Sequence, residues 1–539
     1  MFCKNCGNSL QGNSNFCSKC GGAVEHDTVQ SPNASAHVSP VVSPAAPQET
    51  PPFHPPMQQP SVTQNPAKKG RLLKIIIPVA AVLVLAAVGL FVLLSNDEPD
   101  TDPTMDNVAA DTAPAMDNVA ADTAPAMDNV AADIATDNES GSSSTGLTDA
   151  TQAPEVPATP AEVSDQPDYI TIRGVQYSTS LTELILSDMN LSNAEIEPLR
   201  HMTNLEFLEL YGNQISDVSP LAGLTSLDSL FLSGNQLSDI SPLAGLTNLE
   251  ILLLDGNQLS DISALAGLIN LERLRLSFNQ LSDISPIAGL TSLNSLYITD
   301  SQLSDISPIA GLTRLNRLDL SDNQISDISA LAGLTNLDTL WMSGNQINDI
   351  LPLARLTILE VLRLDGNQIS DISPLAGLTR LSTLYLNDNQ IRNISPLEGL
   401  TSLRGIVLSG NQISDISALA RMTRLNGLYL NGNQISDISP LAGLVNLERL
   451  YLSGNQIIDI SALAGLTHLN GIEFNNNQIR DISPLAGLAN LRWIYLQNNQ
   501  IGDISPLVGL TNLERLYLSG NQISDWSPVA HVGEVRGRP

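Results

Sequence analysis

The chain has 539 residues, 42% of them hydrophobic but only 4% aromatic and 15% charged, so its apolar mass is aliphatic and, at roughly 150 residues per domain, is divided among several units. With 56 Asp and Glu against 25 Lys and Arg the formal net charge is -31, which argues against general binding to nucleic acid or anionic headgroups. All four cysteines lie in the first 20 residues, which excludes a disulfide-stapled fold for the remainder and leaves packing as its source of stability.

Residues 1–26 hold two close thiol pairs, Cys3-x2-Cys6 and Cys17-x2-Cys20, each followed by glycine, Gly7 and Gly21. Four thiolates in two pairs are a donor set that tetrahedral zinc takes, and glycine lets each turn aim N–H groups at sulfur. Lys4 and Lys19 offset the negative charge of such a centre. No open ligand position or nearby acid is placed for hydrolysis, so the expected Zn2+ site is closed and structural. A redox CxxC is the weaker alternative, because there are two pairs and no surrounding βαβ pattern. The run MFCKNCGNSLQGNSNFCSKCG resembles the short zinc-ribbon module of many bacterial membrane proteins.

Residues 27–74 are rich in Pro, Ser, Gln and Ala, with Pro51, Pro52, Pro55 and Pro56 in a near run. Too few large apolar side chains are present to offset ordering entropy, so a disordered cytoplasmic linker is expected. Residues 75–95 contain IIIPVAAVLVLAAVGLFVLL, 20 consecutive uncharged residues, and a helix of that length is about as long as the hydrocarbon core is thick. Pro78 falls in the first turn, where a missing donor costs little. Lys68, Lys69, Arg71 and Lys74 precede the run and Asp97, Glu98, Asp100 and Asp102 follow it, so the positive-inside rule places the N-terminus in the cytoplasm and the remainder outside. With 74 residues ahead of it and no small-residue cleavage site after it, the segment reads as one uncleaved membrane anchor.

Residues 96–168 carry 17 acidic and no basic residues, and repeat MDNVAADTAPA from Met105 and Met116, with a degraded copy from Met127. This composition implies an extended, self-repelling linker with a reach of at most about 250 Å.

Residues 169–539 repeat with period 22, marked by an asparagine at Asn213, Asn235, Asn257, Asn279 and then Asn323 through Asn521, with Ser301 standing in once. An atypical unit with Met189 at that position comes first, giving about 16 repeats. The unit reads as LxxLxLxxNxI followed by SDISPLAGLT, as in Leu425, Leu428, Leu430, Asn433, Ile435, Asp437, Ile438, Pro440 and Leu441. That spacing is the leucine-rich-repeat signature. It predicts a solenoid in which each LxL segment is a short strand with its leucines inward, stacked into a parallel sheet about 4.8 Å per strand. The asparagine amide both donates and accepts, and so satisfies buried turn groups. Ser-Pro, as in Ser439-Pro440, reads as an N-cap followed by proline at the first helical position, with room for a short 3₁₀ turn on the opposite, convex side. The aspartate column (Asp217, Asp239, Asp261 and onward, with Asn393 once) reads as capping of that turn, since one carboxylate per unit does not make a calcium site.

QISDISPLAGLTNL resembles the repeat of the bacterial internalin family. The resemblance implies a curved solenoid outside a bacterium whose concave sheet binds another protein. Internalins commonly have a helical N-terminal cap and an immunoglobulin-like domain, whereas here YITIRGVQY leads into the repeats and Trp526 and Val529 replace the usual Ile and Leu late in them, so host-cell invasion is not carried over.

Strand alternation points the residue between the two strand leucines out of the concave face. That column includes Phe231, Arg275, Tyr297, Trp341, Arg363, Tyr385, Tyr429, Tyr451, Tyr495 and Tyr517. Two positions earlier come Arg273, Arg317, Arg449, Trp493 and Arg515. Tyr, Trp and Arg are enriched at binding hot spots, although aromatics also favour strands and stack on strand neighbours. The expected function is a membrane-anchored cell-surface recognition protein that binds an extracellular protein or polysaccharide along an extended face. The alternative is a transmembrane sensor coupling ligand to the zinc ribbon, which the slack linkers disfavour. Enzymatic activity and a small-molecule substrate are not expected: His26, His37, His54, His201, His468 and His531 are scattered, and no G-x-S-x-G or phosphate-cradling loop occurs.

Overall fold

A computed structural model describes residues 167–538; the candidate zinc ligands Cys3, Cys6, Cys17 and Cys20, the apolar segment 75–95, the linker 27–74 and all but the last two residues of the linker 96–168 lie outside the described residues. Among the described residues no helix is long and apolar enough to cross a membrane, and no cluster of three or more His, Cys, Asp or Glu is arranged to hold a metal ion.

Each repeat turns once around a leucine core. In the unit containing Asn433, Leu425, Leu428, Leu430, Ile435, Leu441 and Leu444 are fully buried and Ile438 nearly so. Burying such a side chain stabilises by about 1.5–3 kcal/mol, but the atoms it packs against belong largely to the neighbouring units. A single unit therefore has nothing to bury its leucines against, and stability accrues only by stacking. The result is one continuous core from Ile170 to Val532.

The strands are three residues long and parallel, and they run in register from β3 (Glu183–Ile185) to β19 (Glu534–Arg536). Equivalent residues therefore pair along the whole sheet: in β14 (Gly427–Tyr429), Leu428 lies opposite Ile406 on one side and Leu450 on the other. β3 is paired on one side by β4 (Phe207–Glu209) and β19 on one side by β18 (Arg515–Tyr517). The ladder thus has two ends, and among the described residues no pairing joins them into a barrel.

The asparagine column is buried and fully engaged. Asn433 Nδ2 donates to Leu408 O at 3.0 Å and Leu430 O at 3.1 Å, and its Oδ1 accepts from Ile413 N at 3.0 Å. One side chain thereby satisfies groups in two successive units, as the need to pair buried backbone groups requires.

Opposite the sheet lie 3₁₀ turns such as Ser439–Gly443. Of the two caps read from the sequence, the serine and the aspartate column, the aspartate holds and the serine does not. The serine is the first residue of the turn and proline the second, and the cap is the preceding aspartate: Asp437 Oδ1 accepts from Ser439 N at 2.8 Å. Asn393 does the same for Ser395 N at 2.9 Å. An amide thus serves where a carboxylate does, which fits capping and not cation binding.

The two ends are built differently from the repeats. YITIRGVQY forms an antiparallel hairpin of β1 (Tyr169–Ile172) and β2 (Val175–Ser178), turning through Arg173 and Gly174 at φ 49° and 82°. Its Ile170 and Ile172 are buried, closing the end of the core. The atypical first unit holds a short helix, α1 (Asn193–Ile196), whose Glu195 accepts from Ser192 N at 2.8 Å and pairs with Arg173 Nε at 2.7 Å. At the other end β19 is a strand that the 22-residue period did not reveal, since it follows β18 after only 19 residues.

Candidate binding face

Two columns of side chains stand on the sheet face that turns away from the leucine core, because alternate residues of a strand point to opposite sides. In β14, Leu428 enters the core while Gly427 and Tyr429 face the other way. In-register pairing carries this along the sheet, so Phe231, Leu253, Arg275, Tyr297, Asp319, Trp341, Arg363, Tyr385, Val407, Tyr429, Tyr451, Glu473, Tyr495 and Tyr517 form one central column. Arg273, Arg317, Arg449, Trp493 and Arg515 stand in the column beside it.

The expectation that these rings stand out into solvent is corrected. Tyr385 and Tyr429 are each only 6% exposed, and with Val407 at 4% and the flanking Tyr451 they form an apolar cluster distinct from the leucine core. Tyr297 is 9% exposed. Phe231, Trp341, Arg363, Tyr451, Trp493, Tyr495 and Tyr517 are half-buried. The cause is geometric: parallel strands about 4.8 Å apart bring in-register rings to stacking distance, so they lie on one another. Tyr429 stacks on Tyr451 with centroids 4.5 Å apart, and Tyr495 on Tyr517 at 4.6 Å.

Glu473 interrupts the column between those pairs, and Trp493 fills the gap from the side. Its indole lies 5.5 Å from the rings of both Tyr451 and Tyr495, over Gly471, where an added Cβ would fall 1.7 Å from Trp493 Cζ2. Tyr429, Tyr451, Trp493, Tyr495 and Tyr517 thus make a continuous aromatic run. At the other end of the sheet Phe207 and Phe231 meet edge to face at 5.1 Å.

Arginines extend the ring run. Arg275 lies 5.3 Å over Tyr297, Arg363 lies 5.2 Å from Trp341 and 4.4 Å from Tyr385, and Arg536 lies 4.7 Å from Tyr517. No lysine occurs from Tyr169 onward, so the permanent cations there are all arginine, whose planar group stacks on rings. The carboxylates on this face are partly withdrawn from water. Burial pushes Asp255 up even though Arg275 Nε is 2.8 Å away, and burial also raises Asp319 and Glu473. Burial likewise raises the Tyr429 and Tyr451 phenols, so both stay protonated at neutral pH.

Sequence reasoning missed Phe207, Gly471 and Arg536. Phe207 and Gly471 occupy the first strand position, where only large polar and indole side chains had been singled out, and Arg536 lies on the strand outside the period. The scattered histidines of the repeats are engaged elsewhere: His468 Nδ1 is 2.9 Å from Val445 O, and His531 Nε2 is 3.1 Å from Leu510 O.

The family model described as "Leucine Rich repeats (2 copies)" matches residues 225–267, 269–311, 313–355, 359–399, 401–443, 445–487 and 489–531, and a second, "Leucine rich repeat", matches 179–237. Among solved structures, the chain is similar to an internalin (inlF) from Listeria monocytogenes at 38% identity, with 60% of this chain and 89% of that chain covered and a TM-score of 0.52. A leucine-rich-repeat protein of Leptospira interrogans aligns at 27% identity over 66% of this chain and 96% of that one, with a TM-score of 0.61. The functional domain of InlJ from Listeria monocytogenes, at 20% identity over 66% of this chain and 72% of that chain and a TM-score of 0.52, shares the fold. No curated protein matches the chain.

Proposed function

The chain belongs to the leucine-rich repeat family, and from that premise we propose that it is a membrane-anchored cell-surface recognition protein whose open sheet face binds a protein partner. Leucine-rich repeat proteins of this kind typically mediate protein binding or recognition. The observation that supports this role most directly is the continuous run of stacked rings from Tyr429 to Tyr517. Rings already held by their neighbours lose little conformational freedom on binding, and they present the residue types that dominate interface energetics.

In this reading, segment 75–95 crosses the bilayer once, residues 96–168 carry the repeats away from it, and the N-terminus stays in the cytoplasm. There Cys3, Cys6, Cys17 and Cys20 hold one structural zinc ion, whose chemistry is to tie two turns together.

The test of the face compares partner capture by the full chain with capture by a Tyr451→Ala, Tyr495→Ala double variant of unchanged fold. A loss of about tenfold or more is expected, since each ring is a hot-spot candidate, and equal capture removes the reading. Protease added to intact cells should digest the repeats and spare the N-terminal module; the reverse pattern overturns the orientation.

A further inference from the structure

The two arginines of the central column, Arg275 and Arg363, and Arg536, which pairs with Tyr517 at its end, are not equivalent. Arg275 has Asp255 Oδ2 at 2.8 Å and Arg536 has Glu534 Oε1 at 3.3 Å. Arg363, between them, has no carboxylate in ion-pair contact among the described residues. Acids nearby bond to other donors: Asp319 Oδ1 accepts from Ser321 N at 3.0 Å, and Asp365 Oδ1 accepts from Ser343 Oγ at 2.8 Å, while the Arg363 charge reaches Asp319 only through space.

The Arg363 guanidinium is nevertheless held in place. It lies 4.4 Å from the Tyr385 ring on one side and 5.2 Å from the Trp341 ring on the other. Its Nε is buried without a hydrogen-bond partner, as is the indole Nε1 of Trp341 on the adjoining strand. The residue itself is half-buried. The arrangement is thus a cation that has given up part of its hydration with no carboxylate in direct contact, its charge acting only at a distance on Asp319, which it lowers against the effect of burial; such incomplete pairing is unfavourable for the free protein. A carboxylate meeting the terminal nitrogens end-on would offset that, through the two-pronged geometry a guanidinium offers. Because two rings already restrain the side chain, little freedom remains to be lost when it binds.

We propose that Arg363, clamped by Trp341 and Tyr385, is where the open face takes a carboxylate of its protein partner, an Asp or Glu side chain in an extended segment. The proposal rests on the reading of this face as protein-binding. It also sets a spacing. Tyr429 lies three strands beyond Arg363, about 14 Å at the usual strand separation, and an extended chain covers that in about four residues. The partner segment therefore carries an acidic residue and, about four positions away, an aromatic or large aliphatic one that lies on Tyr429 and Tyr451.

The test pans a random dodecapeptide library on the immobilised full chain. Enriched peptides are expected to carry Asp or Glu with an apolar residue about four positions away. A synthetic copy of one should bind about tenfold more weakly to Arg363→Gln and to Arg363→Lys, the second because a lysine keeps the charge and loses the fork. Replacing the peptide's acid by its amide should give the same loss, with no additional loss in Arg363→Gln. Unchanged melting of the variants separates this from misfolding. Peptides that depend on Tyr451 yet show no acidic preference, or bind Arg363→Gln equally well, overturn the carboxylate site and leave the binding face standing. Peptides indifferent to both Tyr451→Ala and Arg363→Gln, or none enriched at all, overturn both. An Arg363-dependent response to a glucuronate oligosaccharide in place of peptides overturns the protein partner.

Discussion

Ser301 isolates what one side chain contributes to this fold. At the other ladder positions an asparagine Oδ1 receives a backbone N–H from the unit before, as Asn279 does for Leu259 N at 3.0 Å and Asn323 for Leu303 N at 3.1 Å. The Ser301 hydroxyl is too short to do so and turns to Thr299 O at 3.4 Å. Ser301→Asn is therefore expected to raise stability by about 1–2 kcal/mol, read as a higher midpoint in urea, while Asn433→Ala lowers it by about 2–4 kcal/mol because it strands several buried groups at once. A lower midpoint for Ser301→Asn would contradict the ladder's role. Gly471 makes a second case. Any Cβ there collides with the Trp493 indole, so Gly471→Val should expel Trp493 from its place between Tyr451 and Tyr495. That forfeits two ring contacts worth about 0.5–1.5 kcal/mol each and shifts tryptophan fluorescence toward water. Unchanged emission would show that the indole does not rest on Gly471. The ladder could be read from sequence because its period repeats. The Gly471 contact could not, because it depends on where a single indole falls: Trp493 lies over its strand neighbour Gly471 and reaches across to the tyrosines of the next column.

Among the secondary-structure elements, the 3₁₀ turn is governed by its cap. Asp239, Asp305, Asp327, Asp371, Asp415, Asp437, Asp503 and Asp525 are all held below the ordinary aspartate range, chiefly by the backbone N–H of the serine two residues on. A folded-state value below the unfolded one means stability that is present above about pH 3.9 and is lost as pH falls through the lowered folded values. Asp255, Asp319 and Glu473 act in the opposite sense: burial raises them, so their ionised forms cost stability near neutrality and mild acidification relieves it. Thermal melts should therefore show stability level or slightly rising as pH falls from 7 and then dropping below about pH 4. Asp437→Asn, which copies the natural Asn393, should melt nearly as the wild type does at pH 7 and lose less on acidification. A monotonic rise in stability down to pH 3 would contradict the capping assignment. The turn's existence and length followed from the few residues left between strands. Two caps could be read from the sequence, the serine of Ser-Pro and the aspartate two residues before it, and it is the aspartate that accepts the serine N–H. The hairpin of β1 and β2 was read from the sequence only as a lead-in to the repeats, because so short a stretch carries no period of its own. β19 was hidden because the connection before it is shorter than the period.

Across the whole repeat domain, one short rule applied many times produces both the core and the face. Identical spacing brings leucines to one side of every strand, and in-register stacking then forces whatever stands on the other side into columns. The core was thus fully legible in the sequence, and so was the membership of the ring column. The burial of its tyrosines was not, because alternation tells which way a side chain points but not whether its neighbour lies on top of it. The consequence for binding is that the face is a preformed, partly self-covered stripe and not a row of free rings. Its role is tested most directly by hydroxyl-radical footprinting of the full chain with and without a captured partner. The expected result is protection of Trp341, Tyr451, Trp493, Tyr495 and Tyr517, all half-buried on the sheet face. Protection confined to the opposite side, at exposed Leu351, Ile458 and Val508, with the column unchanged, would contradict it.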